Sequence, residues 1–264
     1  LYWRSLSETD ENYTIGVSLL DSEGDPGGQV ATFPGRGNYA TSLWKEGEVV
    51  KDSYQVRVAP SYPAPGLARF LVAVYTYPQE EYLAVRDSTA QQIDHAAIFG
   101  GLPVQDPEDR QYDVEHVLQY QVGELAGLTG YDVDDTLATT SNGCITLYWR
   151  ALGQTSVDYT VFVHVVDEEG HTISQGDSPP RGGFYPTSYW LEGQTIPDTH
   201  CIRVPPDLGG ARYRVYTGIY LLETMQRLPV LGADGQRVRD DRCLVLEGEA
   251  ASLQNRSFAP LIAH

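Results

Sequence analysis

Apolar and polar residues alternate over short segments that end in turn residues, a pattern that predicts strands rather than helices. Cys144–Arg150 reads Cys-Ile-Thr-Leu-Tyr-Trp-Arg, which places Ile145, Leu147 and Trp149 on one face. Tyr159–Val166 reads Tyr-Thr-Val-Phe-Val-His-Val-Val, rich in the β-branched and aromatic residues that favour strands. Asp167-Glu168-Glu169-Gly170 then predicts a tight turn, with glycine supplying positive φ, and Thr172–Gln175 returns as the hairpin partner. Thr199–Val204 is a further strand, stopped by Pro205-Pro206; Tyr213–Leu221 and Arg242–Leu246 complete the set. Glu223–Leu228 is at most a short turn, and no segment combines helical spacing with caps. Seven or eight short strands per roughly 120–140 residues predict an all-β chain built of antiparallel sandwiches, Ig-like or jelly-roll-like.

The same pattern occurs twice. Leu1-Tyr2-Trp3-Arg4 recurs as Leu147-Tyr148-Trp149-Arg150, and an offset of 146 holds without a gap through Pro60 and Pro206, with roughly 25 of those 60 positions identical. Tyr39, Thr41, Ser42 and Trp44 match Tyr185, Thr187, Ser188 and Trp190; Asp52 matches Asp198. One residue is then lost, and Tyr75 aligns with Tyr220. A period this long implies two whole domains from an internal duplication rather than a solenoid. The expected domains are 1–112 and 113–264, divided within the Pro-rich, polar stretch Pro103–Val114. The second copy has strand-like segments before Leu147, at Leu118–Val122 and Leu125–Val133, that the first copy lacks. The first copy is therefore expected to be short of N-terminal strands, leaving an edge through which a homo- or hetero-oligomer would form.

Composition supports a packed protein of many turns. Of the 264 residues, 41% are hydrophobic and 20% charged, and 26 Gly with 16 Pro supply the turns. The net charge of −18, with no basic cluster, argues against nucleic-acid and anionic-membrane partners. No apolar run approaches the roughly 20 residues that span a bilayer. A membrane anchor is expected upstream of Leu1.

Candidate chemistry is sparse. The six histidines fall in no metal-binding spacing, and no nucleophile elbow, P-loop or dinucleotide fingerprint occurs. Asp132, Asp134 and Asp135, and separately Asp167–Glu169, offer the hard oxygens Ca²⁺ prefers, though neither run has an EF-hand pattern. A glycosidase carboxylate pair is assembled in space and leaves no linear signature. The best glycan- or partner-binding candidate is the loop carrying Arg181, Phe184, Tyr185, Tyr189 and Trp190, since aromatic faces stack on sugars while polar groups take hydroxyls. Tyr185 and Trp190 recur as Tyr39 and Trp44, which favours a structural plug; Phe184 and Tyr189 correspond to Asn38 and Leu43 and are freer to serve function. His164 stands where the first copy has Ser18. Alternation points Cys144 and Cys201 outward, and if their strands pair they lie within reach of a disulfide; three buried thiols is the other reading. Asn12-Tyr13-Thr14 and Asn255-Arg256-Ser257 fit the glycosylation sequon.

The blocks Leu-Tyr-Trp-Arg, Asp-Tyr-Thr-Val-Phe-Val-His-Val-Val-Asp-Glu-Glu-Gly, Tyr-Pro-Thr-Ser-Tyr-Trp-Leu-Glu-Gly and Tyr-Arg-Val-Tyr-Thr-Gly-Ile-Tyr, with Arg227-Leu228-Pro229-Val230, form a distinctive series. It resembles the soluble β-sandwich regions that follow the membrane part of bacterial dolichyl-phosphate-mannose-type (PMT-like) glycosyltransferases and related membrane proteins. The resemblance implies an extracytoplasmic location, periplasmic or at the cell surface, and a supporting or substrate-recognising role. Chemistry in that family lies in the membrane part, so no catalytic residue carries over. The expected function is non-catalytic binding of protein or glycan partners, or scaffolding, at the cell envelope, without a cofactor. A carbohydrate-binding module and a glycan hydrolase are the alternatives.

Overall fold

The computed structural model describes residues 1–106, 110–134, 142–203 and 211–249. The chain separates into two compact units, Leu1–Asp106 and Pro107–His264. Among the described residues both are all-β, with antiparallel pairing throughout. The helical turns among the described residues are single 3-10 turns such as Thr41–Leu43 and Thr187–Tyr189.

Unit 1 contains β1 (Tyr2–Arg4), β2 (Tyr13–Leu20), β3 (Pro26–Thr32), β4 (Val49–Lys51), β5 (Gly66–Thr76), β6 (Val85–Arg86), β7 (Gln92–Asp94) and β8 (Ala97–Val104). Its main sheet has the order β3-β2-β5-β8, while β1 pairs with β4 and β6 with β7 in two small sheets. Its core centres on Ile15, Val17 and Val72, on alternate inward positions of β2 and β5.

Unit 2 contains β9 (His116–Val122), β10 (Ala126–Val133), β11 (Asn142–Ala151), β12 (Thr160–Val166), β13 (Thr172–Gln175), β14 (Thr195–Arg203), β15 (Arg212–Leu221), β16 (Gln226–Arg227), β17 (Val230–Leu231) and β18 (Cys243–Glu249). One sheet runs β14-β11-β10-β9-β17; the other runs β13-β12-β15-β16, with β18 also on β15. Ile145, Leu147, Trp149 and Ile196 of the first sheet and Val161, Val163, Val165, Val215 and Ile219 of the second are all fully buried, the signature of a sandwich-like core. β14 begins four residues before the sequence pattern implies and contains Pro197. Proline is tolerated there because β14 is an edge strand.

The two units repeat the same hydrogen bonds. Thr41 Oγ1 accepts from Tyr13 N (2.9 Å) and donates to Glu11 O (2.6 Å); Thr187 Oγ1 accepts from Tyr159 N (2.9 Å) and donates to Val157 O (2.8 Å). Trp44 Nε1 donates to Tyr39 O (3.2 Å), as Trp190 Nε1 does to Tyr185 O (3.0 Å). Gly35 N donates to Asp52 Oδ1 and Arg181 N to Asp198 Oδ1. Ser5 N donates to Glu48 O, and Ala151 N to Gln194 O.

Candidate functional site

The loop that carries the aromatic candidates is held from beneath. Pro180–Gly183 turns through positive φ at Arg181, Gly182 and Gly183, and the Arg181 amide donates to Asp198 Oδ1 at 2.6 Å. Tyr185 (0% exposed) and Trp190 (1%) point into the core. The Tyr185 hydroxyl donates toward Tyr189 O at 2.9 Å and Gln194 Oε1 at 3.0 Å. This corrects the expectation that Tyr185 and Trp190 belong to a binding platform: rings with no exposed face cannot stack on a ligand. They close the sandwich instead. Phe184 and Tyr189 stay half-buried at the surface, with the Arg181 guanidinium 5.8 Å from the Phe184 ring centre.

Asp198 anchors a second feature. It lies on the same face of β14 as Ile196, His200 and Ile202, all of them buried. His200 Nε2 sits 2.8 Å from Asp198 Oδ2, and His200 Nδ1 sits 2.9 Å from Gly176 O. Both partners are acceptors, so both ring nitrogens carry protons and the pair is an imidazolium–carboxylate ion pair, 1% and 0% exposed. Burial opposes the charged ring, but the Asp198 hydrogen bond and charge, the Gly176 carbonyl and the Asp177 charge outweigh it, so the His200 pKa is raised. Ser178 Oγ lies 3.4 Å from His200 Nδ1, completing a Ser-His-Asp set in name. The set lacks a nucleophile–base pair, because the nitrogen facing Ser178 presents a proton already directed at Gly176 O. In unit 1 the equivalent carboxylate, Asp52, is served by Tyr54, whose hydroxyl donates to Asp52 Oδ2.

Next to this pair, the outer face of β12 and β15 carries a polar and aromatic cluster. His164 Nε2 lies 3.2 Å from Asp177 Oδ1, and the Tyr220 hydroxyl donates to Asp177 Oδ2 at 3.3 Å. The Phe162 ring centre is 4.9 Å from His164, and Arg227 lies 4.5 Å over Phe162. Arg242 lies 4.0 Å over Tyr216. Phe162 is seated on its cross-strand partner Gly218, where a Cβ would come within 2.6 Å of the ring. Unit 1 reverses the pair: Gly16 faces Ala73, and Tyr75 lies over Gly16. The cluster is therefore particular to unit 2, and an arginine lies over each of Phe162 and Tyr216.

The remaining candidates resolve as follows. Asp132 accepts from Glu115 N at 2.8 Å through Oδ1 and from the Tyr148 hydroxyl at 2.5 Å through Oδ2. Burial, then that hydrogen bond and nearby carboxylates, push the Tyr148 pKa up to about 12. Asp132 thus fastens β10 to neighbouring segments. The Asp134 amide donates to Cys144 O, and Asp135 lies outside the described residues. Among the described residues no group of three or more His, Cys, Asp or Glu is placed to hold a metal ion. Asp167 Oδ1 accepts from His171 N at 2.7 Å and so closes the β12–β13 turn. Cys144 and Cys201 are directly opposite on β11 and β14, at a narrow pair with Cα atoms 4.0 Å apart, and are joined as a disulfide. Cys243 is a buried free thiol whose pKa burial raises. A groove of 790 Å³ beside β15 and β18 is lined by charges that pair with each other, Arg214 with Glu247 at 2.6 Å and Arg212 with Glu249 at 3.5 Å. No described helix is long and apolar enough to cross a membrane.

The His200–Asp198 pair does carry a sequence signal, since both residues share parity with the inward Ile202. His164 is distinctive in sequence because unit 1 has Ser18 there, whereas its partner Asp177 lies on a different segment and has no linear signature.

No family model matches the chain, and no curated protein matches it. Among solved structures, one described as "Biofilm associated protein - BSP domain" aligns with 98% of this chain and 30% of its own, at 10% identity and a TM-score of 0.20. The chain thus spans about a third of that structure, and a likeness at this level carries no argument about function.

Proposed function

We propose that the chain is a duplicated pair of β-sandwich domains that acts, without catalysis of its own, as an extracytoplasmic binding or scaffolding region of the cell envelope. The soluble regions attached to PMT-like membrane glycosyltransferases are the setting it fits best. The observation that carries the proposal is the use made of the reactive side chains. Asp198, His200 and Asp132 spend their hydrogen-bonding capacity on holding loops and strands together. Nothing there is left poised to accept a proton from a substrate. Matched hydrogen bonds 146 residues apart support common descent of the two units. The Cys144–Cys201 disulfide supports an oxidising compartment.

Two measurements test the proposal. Thiol titration of natively expressed, denatured protein should find one reactive cysteine, Cys243; finding three would remove the support for an oxidising compartment. Incubation with glycosides, esters and peptides should yield no turnover; turnover lost in Asp198→Asn or Asp177→Asn, with folding intact, would refute the non-catalytic reading.

A carbohydrate-binding role draws its own support from Phe184, which lies at the surface beside Arg181, and from Tyr189, which is also half-buried at the surface. Retention on a glycan array that is lost in Phe184→Ala and Tyr189→Ala would establish it, and absence of retention on any glycan would dismiss it.

A further inference from the structure

In unit 2 the first sheet is continuous, and two strands, β10 and β9, stand between β11 and β17. The matched hydrogen bonds identify the same flanks in unit 1. β1 occupies the place of β11: Ser5 N→Glu48 O and Gly47 N→Ser5 O repeat Ala151 N→Gln194 O and Gly193 N→Ala151 O. β6 occupies the place of β17. Leu83 N→Val74 O repeats Leu228 N→Ile219 O, and Asp87 N→Gln91 O repeats Gly232 N→Gln236 O. The pairing of Arg86 with Gln92 repeats that of Leu231 with Arg237.

Between these flanks unit 1 has a cavity instead of strands. It measures about 610 Å³ and has Trp3 and Leu6 on one wall, Leu83 and Val85 on the other, and Ile15 and Val72 among its floor residues. Among the described residues, no strand pairs with the edge of β1 that faces away from β4, or with the edge of β6 that faces away from β7. Tyr2 and Arg4 alternate with Leu1, Trp3 and Ser5 along β1, so their backbone groups point to that open side. The exposures differ accordingly. Tyr2 is 73% exposed where Tyr148 is 7%, and Leu6 is 85% exposed where Leu152 is 42%. Open strand edges beside an apolar groove are what added strands cover.

We infer that the gap between β1 and β6 is the docking slot for a β-hairpin of the β9–β10 kind, carried by polypeptide N-terminal to β1, as β9–β10 is N-terminal to β11 in unit 2. The two-strand width fixes a hairpin rather than a single strand. Its inner face should be small and apolar, as Val122, Ala126 and Leu128 are, all of them fully buried in unit 2. A second copy of this chain is a poor donor, because its own β9–β10 hairpin is already held by β11 and β17. Unit 2 also supplies the register. A residue equivalent to Leu128 should face Trp3, one equivalent to Gly127 should face Arg4, and one equivalent to Val122 should face Val85. The inference rests on these matched bonds and not on glycan or scaffold function, so the failure of either leaves the other standing.

The test uses the full chain and a synthetic peptide with the sequence of residues 116–133, read by amide hydrogen exchange. Exchange at Tyr2, Arg4 and Arg86 should slow together, by about tenfold or more, and a Leu128→Asp peptide should have no effect. A Gly127→Cys peptide should form a disulfide with the Arg4→Cys chain and not with a Tyr2→Cys chain. An isolated hairpin is marginally stable in water, so a second protein carries a copy of residues 114–146 fused directly before Leu1. Protection of both edges in the fusion, even where the free peptide is inactive, supports the slot. Unprotected edges in both experiments overturn it, as does a homodimer that protects β1 without any added hairpin.

Discussion

Replacing His200 by tyrosine, the residue unit 1 uses at the equivalent position, tests the reading of the buried ion pair directly. In the wild-type protein His200 is charged in the fold, with a raised pKa, and titrates near 6.5 when unfolded. A raised folded-state pKa means that the stabilisation is complete below pH 6.5 and is lost as pH rises through the folded value. Within that window the folded state holds a proton that the unfolded state has released, so unfolding free energy falls by about 1.4 kcal/mol per pH unit. Tyrosine stays neutral there and donates to the carboxylate as Tyr54 does to Asp52, so His200→Tyr should remove this slope. His200→Ala removes the partner altogether and leaves Asp198 buried with only the Arg181 amide, at a cost of about 3–5 kcal/mol. Urea unfolding between pH 5.5 and 9 (working values), followed through exchange of β12 and β14 amides, separates unit 2 from unit 1. His164→Gln serves as control, since its partner Asp177 also neighbours the pair. A wild-type profile flat above pH 6.5, or a slope that persists in His200→Tyr, would refute the assignment of an imidazolium.

Three further outcomes follow from the packing. Reduction of Cys144–Cys201, or Cys201→Ser, should cost unit 2 about 4 kcal/mol from the freed loop, and urea midpoints should show no matching loss in unit 1. Gly218→Ala drives a Cβ to within 2.6 Å of the fixed Phe162 ring and should cost about 1–3 kcal/mol, whereas a neutral result by thermal melting would contradict the seating of Phe162. Trp190→Ala should cost about 3–5 kcal/mol and Tyr189→Ala less than about 1, a contrast checked by unfolding midpoints that distinguishes the plug from the surface ring.

By itself the sequence determined the local and the periodic. Alternation in Cys144–Arg150 and Tyr159–Val166 identified strands and their inward residues, because a pleated strand turns successive side chains to opposite faces. The repeat at 146 separated Trp44 and Trp190, common to both units, from His164, Phe184 and Tyr189, which differ between them. Parity also placed Cys144 and Cys201 on one outward face; their bridge required the β11–β14 register, which no linear spacing encodes. Tertiary structure alone decided what lies across a strand or beneath a loop. It turned Tyr185 inward, placed Gly176 O against the second nitrogen of His200, and brought Asp177 to His164. It also opened the slot between β1 and β6, which is a relation between strands more than 80 residues apart. Parity is set by the backbone of one strand, whereas partners are set by how strands pair and sheets stack, and that is fixed only when the whole unit closes around its core.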